Sequence, residues 1–143
     1  MADVTAHPAV HSHPDYLSEN KGLWNWLTTV DHKRIGLMYM WSVVGFMIIG
    51  GLLALSIRLE LLTPRHTIMS AEMYNRAFTL HGAIMTFLVI IPAIPAALGN
   101  FILPLLLGAK DVAFPRLNLA SLWVYWTGAA MAVSTLILGG VDT

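Results

Sequence analysis

The sequence predicts an all-α transmembrane helical bundle with three spans, and two observations carry that prediction. Of its 143 residues 57% are hydrophobic and only 11% charged, with no net charge, which is too apolar and too charge-poor for an ordinary soluble domain. The sixteen charged residues are also segregated, since none falls within 35–57, 77–109 or 117–141, runs of 23, 33 and 25 residues. Each run exceeds the roughly 20 residues a helix needs to cross ~30 Å of hydrocarbon.

Residues 1–21 are polar and rich in His and Pro, and they predict a flexible tail. They lack the apolar segment of a secretory signal, so the first span itself would direct insertion. The tail histidines His7, His11 and His13 could take up adventitious metal. In "LWNWLTTVDHKRIG", Trp24 and Trp26 read as interfacial anchors, and Thr29 or Asp31 as the cap of the entering helix. Span one, about 35–57, carries Gly36, Gly45, Gly50 and Gly51, which would allow close helix approach.

A short polar loop leads to span two, about 77–105. Pro104 predicts its end, because proline lacks a donor and clashes with the preceding turn. Pro92 and Pro95 fall inside the span, where they would kink it and free carbonyls for neighbouring helices or water to satisfy. The loop "GAKDVAFPRLN" turns the chain back into span three, about 117–141. Lys and Arg number five on the N-terminal side and second loop (Lys21, Lys33, Arg34, Lys110, Arg116) against three in the first loop (Arg58, Arg65, Arg76). The positive-inside rule therefore predicts a cytoplasmic N-terminus. Cysteine is absent, which excludes disulfides, and the zero net charge gives no reason to expect nucleic acid. Three helices leave many faces uncovered, so the chain reads as a piece of something larger.

Four places could carry chemistry. His81 lies in "FTLHGAIMTF" with no charge nearby, and an imidazole in hydrocarbon needs a partner. A hydroxyl or carbonyl on another helix, a carboxylate in a proton relay, and haem iron are the three choices. Ile84, Met85 and Leu88 on its face could line a porphyrin or simply pack. If iron is the partner, a second axial imidazole must come from elsewhere, because His7, His11, His13, His32 and His66 all lie outside the apolar runs. Asp111, in "GAKDVAFPR", is either a solvated loop residue paired with Lys110 or Arg116 or the collecting acid of a proton pathway. Asn100 and Asn118 could hold ordered water for such a pathway or glue helices together. Arg58 could snorkel to the interface or hydrogen-bond a polar substituent of a cofactor near His81.

The segments "TTVDHKRIG", "RLEL", "LHGAIMTFLVIIPAIPAALGNFILPLLLGAKDVAFPRLN" and the closing "GG" together resemble subunit I of the haem-copper respiratory oxidases, in particular the A-type enzymes. The resemblance runs from about Trp24 to the end of the chain. It implies the first three of about twelve helices of a cytochrome c oxidase type enzyme that reduces dioxygen to water and pumps protons. By the same resemblance His81 is the helix II ligand of a low-spin haem, haem A being expected, and Arg58 contacts that haem's polar substituent. Asp111 stands at the mouth of the D proton channel, lined by Asn100 and Asn118, and Glu60 belongs to a peripheral calcium or sodium site. The high-spin haem and copper are expected to take their ligands from later helices. Partners implied are the remaining helices, oxidase subunits II and III, cytochrome c or quinol as donor, a respiratory supercomplex, and the bilayer of a bacterial inner membrane.

Three positions depart from the family pattern: Lys110 stands for proline, Arg34 for a frequent aspartate, and Arg65 for the glycine after Pro64. Lys110 would put a cation beside Asp111. Two other readings come from the residues alone: a non-catalytic three-helix structural or assembly subunit in which His81 bonds across helices, and a transporter fragment using Asp111 and His81 as proton sites.

Overall fold

In the computed structural model, which describes residues 22–62, 64 and 68–137, every regular element is helical. The predicted tail, together with Arg65, His66 and the closing "GG", lies outside the described residues. A short helix α1 (Leu23–Leu27) precedes three longer ones: α2 (His32–Glu60), α3 (Ala71–Leu107) and α4 (Pro115–Ile137). Helices α2 and α3, of 29 and 37 residues, are long and apolar enough to cross a membrane. Large apolar side chains are exposed on the outer faces of all three long helices, such as Trp41 on α2, Phe87 and Leu105 on α3 and Val124 on α4. In water such surfaces would be a liability, whereas lipid or further helices cover them at no cost.

The helix ends follow the capping chemistry. Asp31 caps α2 by accepting the Lys33 amide at 2.9 Å, and Ser70 caps α3 by accepting the Met73 amide at 3.2 Å. Of the two candidates for the first cap, Thr29 instead accepts the Asp31 amide at 3.2 Å. Trp26 lies under the Arg34 guanidinium, 5.5 Å from the ring centroid, while Trp24 points outward. The expectation that Pro104 ends α3 is corrected, because the helix runs through it to Leu107. The stop is Gly108 at φ 62°, whose amide bonds to the Leu105 carbonyl while that of Ala109 bonds to Pro104 at 2.9 Å. This is the paired bonding of a Schellman cap, which needs the left-handed residue that glycine supplies.

Around Pro92 and Pro95, where the sequence predicts a kink, α3 continues and widens into two π-helical segments, Ile84–Ile90 and Ala93–Leu98. In an α-helix residue 92 would donate to the carbonyl of Leu88, and proline cannot. That carbonyl accepts the Tyr125 hydroxyl of α4 at 2.8 Å, so a neighbouring helix satisfies the freed group as hydrocarbon surroundings require. The Tyr125 ring is fixed between Tyr39 and Phe46, with centroids 5.3 and 6.2 Å away.

Helix α3 packs antiparallel on α2, and α4 runs parallel to α2. A Cβ on Gly36 would lie 2.8 Å from the Phe101 ring and one on Gly50 2.7 Å from Met85 Sδ, whereas Gly45 and Gly51 face open space. Two of the four glycines of span one thus set the close approach. Two small cores result, one of Ile35, Tyr39, Ala97 and Leu122, the other of Ile84, Leu88 and Ala129. Replacing Tyr125 by Phe keeps the ring packing and strands the Leu88 carbonyl, so it should cost about 1 kcal/mol. A lowered midpoint for SDS or thermal unfolding of the solubilised protein measures it.

Candidate functional site

Polar side chains gather along one face of α2, at positions spaced by about one or two helical turns, and each meets a residue of α3, α4 or the loop between them. At the N-terminal end His32 Nδ1 donates to Asp111 Oδ1 at 2.8 Å. The imidazole is nearly enclosed, 8% exposed, while the carboxylate is 51% exposed. Asp111 Oδ1 also accepts the Val112 amide at 2.7 Å. Asp111 is therefore held at the surface by a buried imidazole, not by Lys110 or Arg116. His32 lies outside the apolar run, where composition gives it no prominence, and occupies the first position of α2.

One turn further along α2, Gly36 makes room for Asn100, which is buried at 4% exposure. Asn100 Nδ2 donates to the Ala96 carbonyl at 2.6 Å and to Asn118 Oδ1 at 3.3 Å, and Asn118 Nδ2 returns a bond to Asn100 Oδ1. The two amides, eighteen residues apart in sequence, close on each other and join α3 to α4. Next come Tyr39, whose hydroxyl meets Ser121 Oγ at 2.9 Å, and Ser42, whose Oγ accepts Trp126 Nε1–H at 2.9 Å. None of these four was singled out from the sequence. Their signal is the recurrence of 32, 36, 39 and 42 on one helical face.

His81 meets α2 far from this set. Its Nδ1 is 2.9 Å from the carbonyl oxygen of Gly50. A carbonyl can only accept, so Nδ1 carries a proton, and in the neutral ring Nε2 is the nitrogen with the lone pair. The ring is half-buried, and Nε2 has no hydrogen-bond partner among the described residues. A donor of this kind, with one nitrogen anchored and the other open in apolar surroundings, fits an axial position on iron. Gly50 is eighteen residues from His32 along α2, which at 1.5 Å per residue puts the two ends about 27 Å apart.

Arg58 is exposed on the last turn of α2, and no hydrogen bond joins it to His81. Glu60 is buried at 3% exposure, and its Oε2 accepts the amides of Ile68 and Met69 at 2.9 and 3.0 Å. That carboxylate organises the turn into α3, and among the described residues no cluster of three His, Cys, Asp or Glu side chains surrounds a metal position.

A family model described as cytochrome c and quinol oxidase polypeptide I matches residues 34–143. The chain is 50% identical over 108 residues to a probable cytochrome c oxidase subunit 1-alpha of Streptomyces coelicolor, covering 76% of this chain and 18% of the relative. It is 38% identical over 133 residues to cytochrome c oxidase subunit 1 of Thermostichus vulcanus, covering 90% and 24%. It is 41% identical over 128 residues to quinol oxidase subunit 1 of Bacillus subtilis, covering 87% and 19%. The chain thus spans about a fifth of the length of the curated relatives it matches.

Changing Asn100 or Asn118 alone to Leu takes from the remaining amide its bonds to the other, though Asn100 keeps its bond to Ala96, and changing both removes that penalty. A double-mutant cycle on unfolding should return a coupling of about 1 kcal/mol, the double variant being less destabilised than the two single losses added together.

Proposed function

The chain belongs to the cytochrome c and quinol oxidase polypeptide I family, and on that premise we propose that it forms part of the catalytic subunit of a proton-pumping terminal oxidase that reduces dioxygen to water. Helices α2, α3 and α4 are then the first three spans of about twelve in a bacterial inner membrane, with the N-terminus cytoplasmic. The other spans of subunit I and subunits II and III surround them. The donor is cytochrome c or quinol, and relatives of both names occur.

The observation that carries this reading is the state of His81, with Nδ1 bound to Gly50 and Nε2 open. A low-spin haem, haem A in an A-type enzyme, supplies one-electron redox chemistry when held there. His81 would hold the iron through Nε2 from the paired helices α2 and α3, and Arg58 would contact a polar substituent of the haem. The apolar side chains around His81 would help to exclude water from the bound group. The high-spin haem and copper take no ligand that we assign in this chain, and Glu60, which bonds the amides of Ile68 and Met69, is the carboxylate that a peripheral calcium or sodium ion would take.

Asp111 collects protons at the cytoplasmic surface, where half of its side chain meets solvent. His32 can pass its Nδ1 proton to the carboxylate it bonds and take it back. Asn118 and Asn100 follow inward, and Tyr39 and Ser121 extend the polar series toward the middle of the bundle. The bonded amide pair stands between Asp111 and the hydroxyls in this series, so conduction requires the pair to part or water to pass beside it.

A reduced-minus-oxidised spectrum of the solubilised complex, with extraction of its haem, tests the reading. Replacing His81 by Ala should remove the low-spin band, whereas Asp111→Asn should keep the band and slow proton-coupled turnover. A His81→Ala complex with an unchanged low-spin spectrum would overturn the ligand assignment and favour a histidine that only joins helices.

A further inference from the structure

The contact that anchors His81 is made by the backbone, at a position that can hold no side chain without moving its neighbours. Gly50 is buried, and a Cβ built on it would meet Met85 Sδ at 2.7 Å, Met85 Cγ at 3.2 Å and Ile84 Cγ2 at 3.6 Å. Met85 is one helical turn beyond His81, inside the π-helical segment. The methionine and the imidazole therefore press on the same glycine, one against its Cα and the other against its carbonyl oxygen. Gly51, next in sequence, and Gly45, five residues before, have nothing within 4 Å of such a Cβ.

We infer that Gly50 is a positioning residue for the axial ligand: its bare Cα lets α3 close on α2, and its carbonyl then holds the Nδ1 proton of His81. The inference rests on the reading of His81 as a haem ligand. Hydrogen bonding at Nδ1 raises the electron-donating power of Nε2, which stabilises the ferric state of a bound iron. The bond also fixes which tautomer is present and the rotation of the ring about its own axis. A residue with a Cβ at position 50 pushes Met85 and the first turns of α3 outward, lengthens the contact between Nδ1 and the carbonyl, and weakens both effects. Met85 is flexible and can yield part of the way, so the change is graded and need not expel the haem.

The test uses the assembled oxidase complex with Gly50→Ala, Gly51→Ala and Gly50→Ala combined with Met85→Ala. Each is read by the midpoint potential of the low-spin haem and by the g-values of its ferric electron paramagnetic resonance spectrum. Gly50→Ala should raise the potential and shift the g-values, Gly51→Ala should change neither, and removing the Met85 side chain should return both toward the native values. A Gly50→Ala complex that keeps its haem with native potential and g-values overturns the inference while leaving the His81 assignment intact. Loss of the haem band in His81→Ala bears on the assignment alone. Should Gly50→Ala fail to assemble, hyperfine spectroscopy of the unmodified ferric complex decides: an exchangeable proton on the axial Nδ1 with the coupling of a hydrogen bond supports the inference, and its absence overturns it.

Discussion

The close approach of α2 and α3 is the constraint on which the rest of the arrangement depends. It is set where Gly36 receives Phe101 and Asn100, and where Gly50 receives Met85. Between helices in lipid no hydrophobic driving force exists, so dispersion contacts and polar bridges must hold the pair, and both need short distances. With the backbones close at both ends, His81 reaches a carbonyl of α2 and Asn100 sits deep enough to meet Asn118 on α4. Widen either contact and one of those two bonds is lost.

Helix α4 is attached differently. It is held by bonds from its own side chains: Asn118 to Asn100, Ser121 to Tyr39, Tyr125 to the Leu88 carbonyl, Trp126 to Ser42. Each uses a polar group that would be costly if left alone in hydrocarbon. The same groups run from the exposed Asp111 toward the centre of the bundle, so the bonds that secure α4 coincide with the series proposed to carry protons. Stability and conduction then make opposite demands on the amide pair, one favouring a closed bond and the other an open one.

Helical class, the apolar runs and the principal residues His81, Asp111, Asn100 and Asn118 were legible because each depends on composition or local spacing. Charge exclusion identifies a hydrocarbon-compatible segment without any knowledge of its neighbours, and a lone imidazole in such a segment is conspicuous. The partners were not legible. His32 lies outside the apolar run, and although an Asp31 cap places it at the start of α2, nothing local says that it meets Asp111 seventy-nine residues on. Pro104 looked like a stop because its local cost is known, but a helix continues through proline wherever the missing bond is tolerated, and Gly108 supplied the stop. Tyr39, Ser42, Ser121, Tyr125 and Trp126 carry ordinary interfacial side chains, and only the register between helices reveals that they pair.

The π-helical segments give α3 a property that a plain α-helix lacks. Phe101 and Met85 are sixteen residues apart, while the glycines they meet on α2, Gly36 and Gly50, are fourteen apart. Helix α3 therefore fits more chain than α2 into the same axial distance, because bonds from i to i+5 widen its turns. Each such segment acts like a residue inserted into an α-helix, and removing one residue would return the turn to the tighter form. Because the extra residue is absorbed within the wide turn, the parts of α3 before and after it keep the azimuths that an uninterrupted α-helix would give them. His81 and Asn100 can therefore both face α2 on either side of a stretch that holds two prolines. The surplus chain is stored in the middle of the helix, and neither end contact has to give way to accommodate it.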